Sequence, residues 1–464
     1  MTLRSFLRSR VRITFLCLLL TFLFIPFSEA GLRERAFEAN LPNGLKVILL
    51  EDHKAPLVTF QVWYRVGSRN EAWGKTGLSH MLEHMMFKGT EKVGPEEFSR
   101  IIQENGGNDN AFTSRDYTAY FENLSADRVQ ISIDLESDRM QNLRLREEDF
   151  RTERMVVMEE RRLRTDDNPT AFLQEQVEAT AFQLQPYHWP IIGWMEDITR
   201  FTVDDVKAYY RTYYHPVNAF LVVVEDFKKE DLLPRIEKAF GPYPKGVAPN
   251  QNKDIDPKQT GERRILVKKE AQLPSIVMGY HVPTLQQSDS YVLEVIAAIL
   301  SAGKSSRFYQ SLVREKRLVL SADADYSLLS KDPSLFDISA DPLPGKDVSE
   351  VEKALDQEVV RLQRESVGQH ELEKAKNQLE ASFVFGQDSL FYQAMLLAQF
   401  EISLNWRGID DYIPSIRKVS PDDIQRVAKQ YLVPDNRTVG ILVPLPPKEG
   451  KPVSPEAPAK GLVR

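Results

Sequence analysis

Residues 202–224, TVDDVKAYYRTYYHPVNAFLVVV, return 218 positions later as residues 420–442, SPDDIQRVAKQYLVPDNRTVGIL. In both copies a Thr202 or Ser420 cap precedes paired aspartates, a helix follows, and Pro216 or Pro434 stops it. An apolar strand then begins (Ala219 to Val224; Val439 to Val443). Tyr213 matches Tyr431 and Asn218 matches Asn436. Upstream, Pro56 and Pro274 agree at the same shift, each followed by a strand (Val58 to Val66; Ile276 to Val282). The chain therefore reads as two related units of mixed strand and helix. Amphipathic rather than wholly apolar strands predict an α+β class: two related domains, each a mostly antiparallel sheet with helices packed on one face and the other face half-exposed.

The domains are expected at residues 35–245 and 263–445. Between them residues 246–262 have linker composition, with Pro249, Asn250, Asn252, Asp254 and Pro257. From residue 446 to 464 the chain becomes Pro- and Lys-rich, a predicted disordered tail. At the other end Arg4, Arg8, Arg10 and Arg12 precede an apolar run from Ile13 to Phe27, closed by Ser28-Glu29-Ala30. Residues 1–30 thus read as a secretory signal cut after Ala30; an uncleaved anchor is the alternative, but the run is short of the roughly 20 residues that span hydrocarbon. The expected location is periplasmic or secreted.

With 464 residues, 42% apolar and 27% charged, the chain is globular in composition. Its net charge of -7 becomes -10 once the leader's four Arg and one Glu are removed, so there is no basic surplus for nucleic acid. The single cysteine, Cys17, lies in the leader. A mature chain without thiols has no disulfides or thiolate zinc knots, and any metal site must be made of imidazole and carboxylate.

Such a set is present in Gly77-Leu78-Ser79-His80-Met81-Leu82-Glu83-His84-Met85-Met86. Leu78, Met81, Leu82, Met85 and Met86 form one helical stripe, and His80, Glu83 and His84 fall on the opposite side. Histidines one turn apart can share a metal, and a carboxylate beside them can take a proton from water at the ion. In the run from Glu153 to Glu160, residues 153, 156, 157 and 160 share a stripe, so two carboxylates flank two valines on a face expected to be buried. Burying an unpaired carboxylate costs several kcal/mol, which calls for a cation nearby. Glu160 is the expected third ligand, with Glu159 as the alternative, and Glu153 is expected to orient a histidine.

These residues, with Asn110-Ala111-Phe112-Thr113, Asp116 and Tyr120, and with Ser305-Ser306-Arg307 and Arg314-Glu315-Lys316, resemble the pitrilysin or insulinase-like zinc peptidases (family M16). The likeness is greatest to the short two-domain branch that includes mitochondrial processing peptidase, and it covers about residues 35 to 445. It implies a zinc endopeptidase acting on peptides or unfolded segments, with His80, His84 and Glu160 as zinc ligands and Glu83 as general base and acid. It also implies that substrate adds as a strand along the edge holding Asn110 and Ala111, which otherwise read as a turn after Gly106-Gly107. At the 218 shift the motif becomes Ala298, Ser301, Ala302 and Gln378, so the second half holds no zinc. Arg314 matches a substrate-side arginine of the family, or is a plain surface residue. The tyrosine expected seven residues later is Ser321, so either Tyr326 or another subunit supplies it. The family's closed chamber needs four such domains, which implies a dimer, and Ser321 points to a heterodimer with a related chain lacking the zinc motif. Tyr187, His188 and Trp189 are expected to be structural. A non-catalytic peptide-binding or assembly subunit is the alternative function, against which the intact His80, Glu83, His84 and Glu160 set argues.

Overall fold

The computed structural model describes residues 31–250 and 254–446, so the expected leader, and the expected tail after residue 446, lie outside the described residues. In the first half six strands form one sheet: β1 (Ala36–Asn40), β2 (Lys46–Glu51), β3 (Leu57–Tyr64), β4 (Asn108–Thr113), β5 (Thr118–Ser125) and β6 (Ala219–Glu225). Their order is β1-β2-β6-β3-β5-β4, antiparallel throughout except for the parallel pair β2 and β6. The second half has β7 (Arg263–Glu270), β8 (Ser275–Val282), β9 (Val319–Tyr326), β10 (Ser334–Pro342) and β11 (Arg437–Leu445). Their order, β7-β11-β8-β10-β9, repeats that of the first sheet without β1, and again only the β7 and β11 pair is parallel.

The helices that matter in the first half are α1 (Leu78–Met85), α2 (Val129–Asn142), α3 (Glu147–Arg161), α4 (Pro169–Ala181), α5 (Val203–Tyr213) and α6 (Lys229–Phe240). In the second half they are α7 (Asp289–Ser301), α8 (Val348–Arg364), α9 (Gln369–Gly386), α10 (Leu390–Ser403) and α11 (Pro421–Tyr431). The repeated stretch that opens the sequence argument forms α5 with β6 and α11 with β11. Both helices start with a reciprocal cap: Thr202 with Asp205, and Ser420 with Asp423, each side chain bonding the other's backbone N–H.

One face of the first sheet, through Val47, Leu49, Phe60, Val62, Leu221 and Val223, packs on Met81, Leu82, Ile133, Val206 and Ile236 of its own helices. The other face departs from the half-exposed expectation. Ile48, Leu50, Trp63, Phe220, Val222 and Val224 are buried in the core of the second half, beneath α10. Conversely α4 lies on the second sheet, where Leu173 and Val177 pack against Val267, Val277 and Leu442. A Cβ on Gly440 would stand 2.3 Å from Val177 Cγ2, so glycine there is what lets α4 approach β11. At the 218 shift α4 overlaps α10, so each half lends the equivalent helix to the other's sheet. Lys46 and Arg65 of the first half hold the Glu401 carboxylate of α10 at 2.7 and 2.6 Å.

Candidate metal and catalytic site

The expected stripe on α1 is buried, with Leu78, Met81, Leu82 and Met85 in the core. The start of the helix is built tightly. Gly77 sits at φ +92, where a Cβ would meet the Ile192 carbonyl oxygen at 2.4 Å. The Glu71 carboxylate accepts the N–H groups of Gly77 and Ser79 at 2.7 Å each, which places a carboxylate at the positive end of the helix. Burial still pushes its pKa up to about 8.

Helix α3 packs against α1 and brings its carboxylates to the histidines. Glu160 lies 3.6 Å from His80 Nε2 and 3.3 Å from His84 Nε2, and one donor atom from each of the three residues lies within 4.8 Å of the others. Among the described residues this is the group able to hold a metal ion. The stripe predicted on α3 is narrower than expected: Glu153 and Val157 are buried, but Val156 is 47% exposed. The reason is phase, since Glu153, Val157 and Glu160 lie within about 60° on the helical wheel and Val156 falls to one side. Glu159, the alternative ligand, is exposed and pairs with Arg162 at 2.9 Å.

Around this group the side chains are fixed in turn. His84 Nδ1 lies 3.0 Å from Glu153 Oε1, and Lys88 Nζ lies 2.5 Å from Glu153 Oε2. The bond to Glu153 orients the ring so that Nε2 faces Glu160. Burial pushes His80 down to about 3, with His84 adding to it. Against burial, Glu153 and Glu160 carry His84 up to about 9. Against burial too, His84 and His80 hold Glu160 down at about 2. Burial raises Glu83 above the usual carboxylate range, opposed by a hydrogen bond of 2.5 Å from Thr113 Oγ1. The donor set fits zinc in kind: two imidazole nitrogens and a carboxylate oxygen, one atom from each residue within 4.8 Å of the others.

Asn110 and Ala111 lie on β4, the edge strand of the first sheet, and Thr113 at the end of that strand touches Glu83. Their turn reading is thus replaced by a strand. Arg314 is exposed, bonded to Gln310 of its own turn at 3.2 Å, and no contact joins it to the histidines among the described residues. Tyr326 is committed elsewhere, its hydroxyl donating to the Pro283 carbonyl at 2.6 Å, and Ser321 donates to Asp341 at 3.0 Å. Tyr187 donates to Asp116 at 2.7 Å and Trp189 Nε1 to the Ser68 carbonyl at 2.6 Å, so both serve packing. Ser301, at the position of Glu83 in the second half, donates to the backbone carbonyls of Ala297 and Ala324.

Comparison with known proteins adds lineage. Residues 46–193 match the family model described as Insulinase (Peptidase family M16), and residues 200–379 match the Peptidase M16 inactive domain. The zinc protease PqqE of Helicobacter pylori is 34% identical over 410 residues, covering 87% of this chain and 92% of that protein. The chain belongs to the insulinase (M16) peptidase family. A crystal structure of a protease from Helicobacter pylori superposes on this M16 chain with a TM-score of 0.83 at 33% identity, covering 88% of it and 99% of the other. The periplasmic protease PqqL from Escherichia coli shares the fold at 17% identity with a TM-score of 0.73, and the M16 chain spans 48% of its length.

The structure adds residues that sequence reasoning passed over. Lys88 follows His84 by four and Arg164 follows Glu160 by four, with Arg164 Nη1 lying 2.8 Å from Glu160 Oε1. Spacing along the helix could have found Arg164, whereas Lys88 lies past the end of α1 and meets Glu153 of α3. Thr113 and Glu71 carry no such signal, since each reaches the site from a separate segment.

Proposed function

We propose that this M16 chain is an exported zinc endopeptidase that hydrolyses peptides or unfolded protein segments. The observation that carries the reading is the convergence of His80, His84 and Glu160 beside Glu83 at the end of an exposed-edge strand. His80, His84 and Glu160 would hold the ion. When bound, zinc supplies Lewis acidity, which makes water nucleophilic at neutral pH and polarises a peptide carbonyl. Glu83 is the proton carrier: its raised pKa suits a carboxylate that takes a proton from attacking water and returns it to the leaving amine. β4, which carries Asn110 and Ala111, is the edge strand of its sheet, the place where an extended substrate adds as a further strand. Arg314 remains a substrate-side residue only in a chamber closed by further domains.

Export rests on the basic and apolar leader before Ala30; among the described residues no helix is long and apolar enough to cross a membrane. PqqL, about twice as long as the segment matched here, is described as periplasmic, and the four-domain chamber is what the family likeness implies. Two chains of the present length would make such a chamber, and the loss of tyrosine at Ser321 favours a partner that is a related chain without the zinc motif. Full peptidase activity from a purified homodimer or monomer would remove the heterodimer.

The test uses the chain from residue 31 onward, bound metal counted by elemental analysis and cleavage followed on a mixed peptide library. Zinc near one per chain, cleavage abolished by a chelator and restored by zinc, is the expected result. Glu83→Gln should keep the zinc and lose cleavage by a factor of about 10²–10⁴, whereas His80→Ala should lose both. Cleavage that survives in Glu83→Gln would overturn the assignment.

A further inference from the structure

A second polar feature lies away from the zinc ligands. Between the halves is a cavity of about 310 Å³ whose walls include Glu294 of α7 and the rings of Tyr326, Phe383, Tyr392 and Tyr412. Among the described residues no lysine or arginine lines it. Glu294 has one hydrogen-bond partner, the Tyr412 hydroxyl at 2.6 Å, and the Phe383 ring stacks on Tyr412 with centroids 4.8 Å apart. Burial pushes the Glu294 carboxyl up to about 7, and no cation offsets it. The other acid on the wall, Asp116, is already matched by Arg69 and by the Tyr187 hydroxyl. A buried carboxylate among aromatic side chains suits an organic cation, which gains an ion pair and, over an open ring face, cation–π attraction.

The cavity's place suggests the source of that cation. Ser114 and Tyr117, in the turn joining β4 to β5, form part of its wall, and Thr113 immediately before that turn is the residue bonded to Glu83. A peptide laid along the edge of β4 would reach the end of that strand, from which the turn carries Ser114 and Tyr117 into the cavity wall.

We propose that this cavity is a specificity pocket that binds a lysine or arginine side chain of the peptide, with Glu294 as the counter-ion and the tyrosines and Phe383 as the cage. The assignment rests on the peptidase reading for its occupant, and direct binding separates the two. Fluorescein-labelled peptides of a dozen residues carrying a central lysine or arginine, and matched peptides with norleucine, are titrated by anisotropy into the zinc-loaded Glu83→Gln chain. The basic peptides should bind about tenfold tighter or more. Adding Glu294→Gln should erase that preference without changing zinc content, and Tyr392→Leu should reduce it. Equal affinity for basic and norleucine peptides, or a preference that survives Glu294→Gln, overturns the pocket even if zinc-dependent cleavage stands. Should agmatine bind tightly while the peptides show no preference, the occupant is a free amine and the peptide assignment falls. The same preference, found while the parent chain with Glu83 intact and zinc bound cleaves nothing, would instead leave the pocket intact and remove the peptidase reading.

Discussion

Thr113 and Glu153 each touch a residue of the candidate site, Glu83 and His84 respectively. The Thr113 hydroxyl fixes Glu83 at 2.5 Å, and it is carried by the strand against which substrate would lie. Thr113→Val should therefore lower kcat more than it raises KM, and Thr113→Ser should restore most of the loss; steady-state kinetics on one fluorogenic peptide read both. Glu153 holds His84 Nδ1 while its other oxygen meets Lys88. Glu153→Gln should weaken zinc affinity about 10- to 100-fold, measured by competition with a chelator. The histidines, Glu83 and Glu160 were readable because a helix turns 100° per residue and so converts spacing into direction. Thr113 was not, since a strand 30 residues away meets Glu83 only through the packing of α1 on β4.

Strand β6 illustrates what an element inherits from its surroundings. All seven of its residues are buried, Glu225 included, because β6 lies between β2 and β3 with α10 across its outer face. Burial pushes the Glu225 carboxyl up to about 8 from the usual 4.5, and its Oε2 has no hydrogen-bond partner. A carboxyl whose pKa is higher in the folded than in the unfolded chain stabilises fully below about 4.5 and loses that contribution as pH rises through about 8. Glu225→Gln should accordingly melt higher than the parent at pH 9, with the gap closing toward pH 4.5, as thermal unfolding across that range will show. A loss of stability at pH 9 would contradict it. For α3, the sequence pattern placed the carboxylates on the correct side but took in Val156, because a four-residue stripe does not say how wide the partner's face is.

Exchange of α4 and α10 makes the two halves one folding unit. Leu173 is buried under the second sheet although it belongs to the first half, and Val222 is buried under the second half's α10. Leu173→Ala should cost about 2–5 kcal/mol, and denaturant unfolding should remain a single transition reporting both halves. Independent melting of the second half at the parent's midpoint would count against the coupling. Nothing local in residues 169–181 announces where that helix packs. Its apolar positions fit any sheet face, and only the register of the two repeats, with Gly440 clearing space, selects one.

From the order of residues alone came the repeat, the α+β class with mostly antiparallel sheets, and the imidazole and carboxylate set at His80, Glu83, His84 and Glu160. The repeat follows from agreement at a shift of 218 residues, and the class and the site residues from short-range periodicity, which the backbone converts directly into geometry. The exchanged helices, the clasp of Thr113 on Glu83 and the caged Glu294 were decided by tertiary structure. Each joins segments far apart in the chain, and such contacts depend on which buried surfaces close over one another, a property that no local pattern encodes.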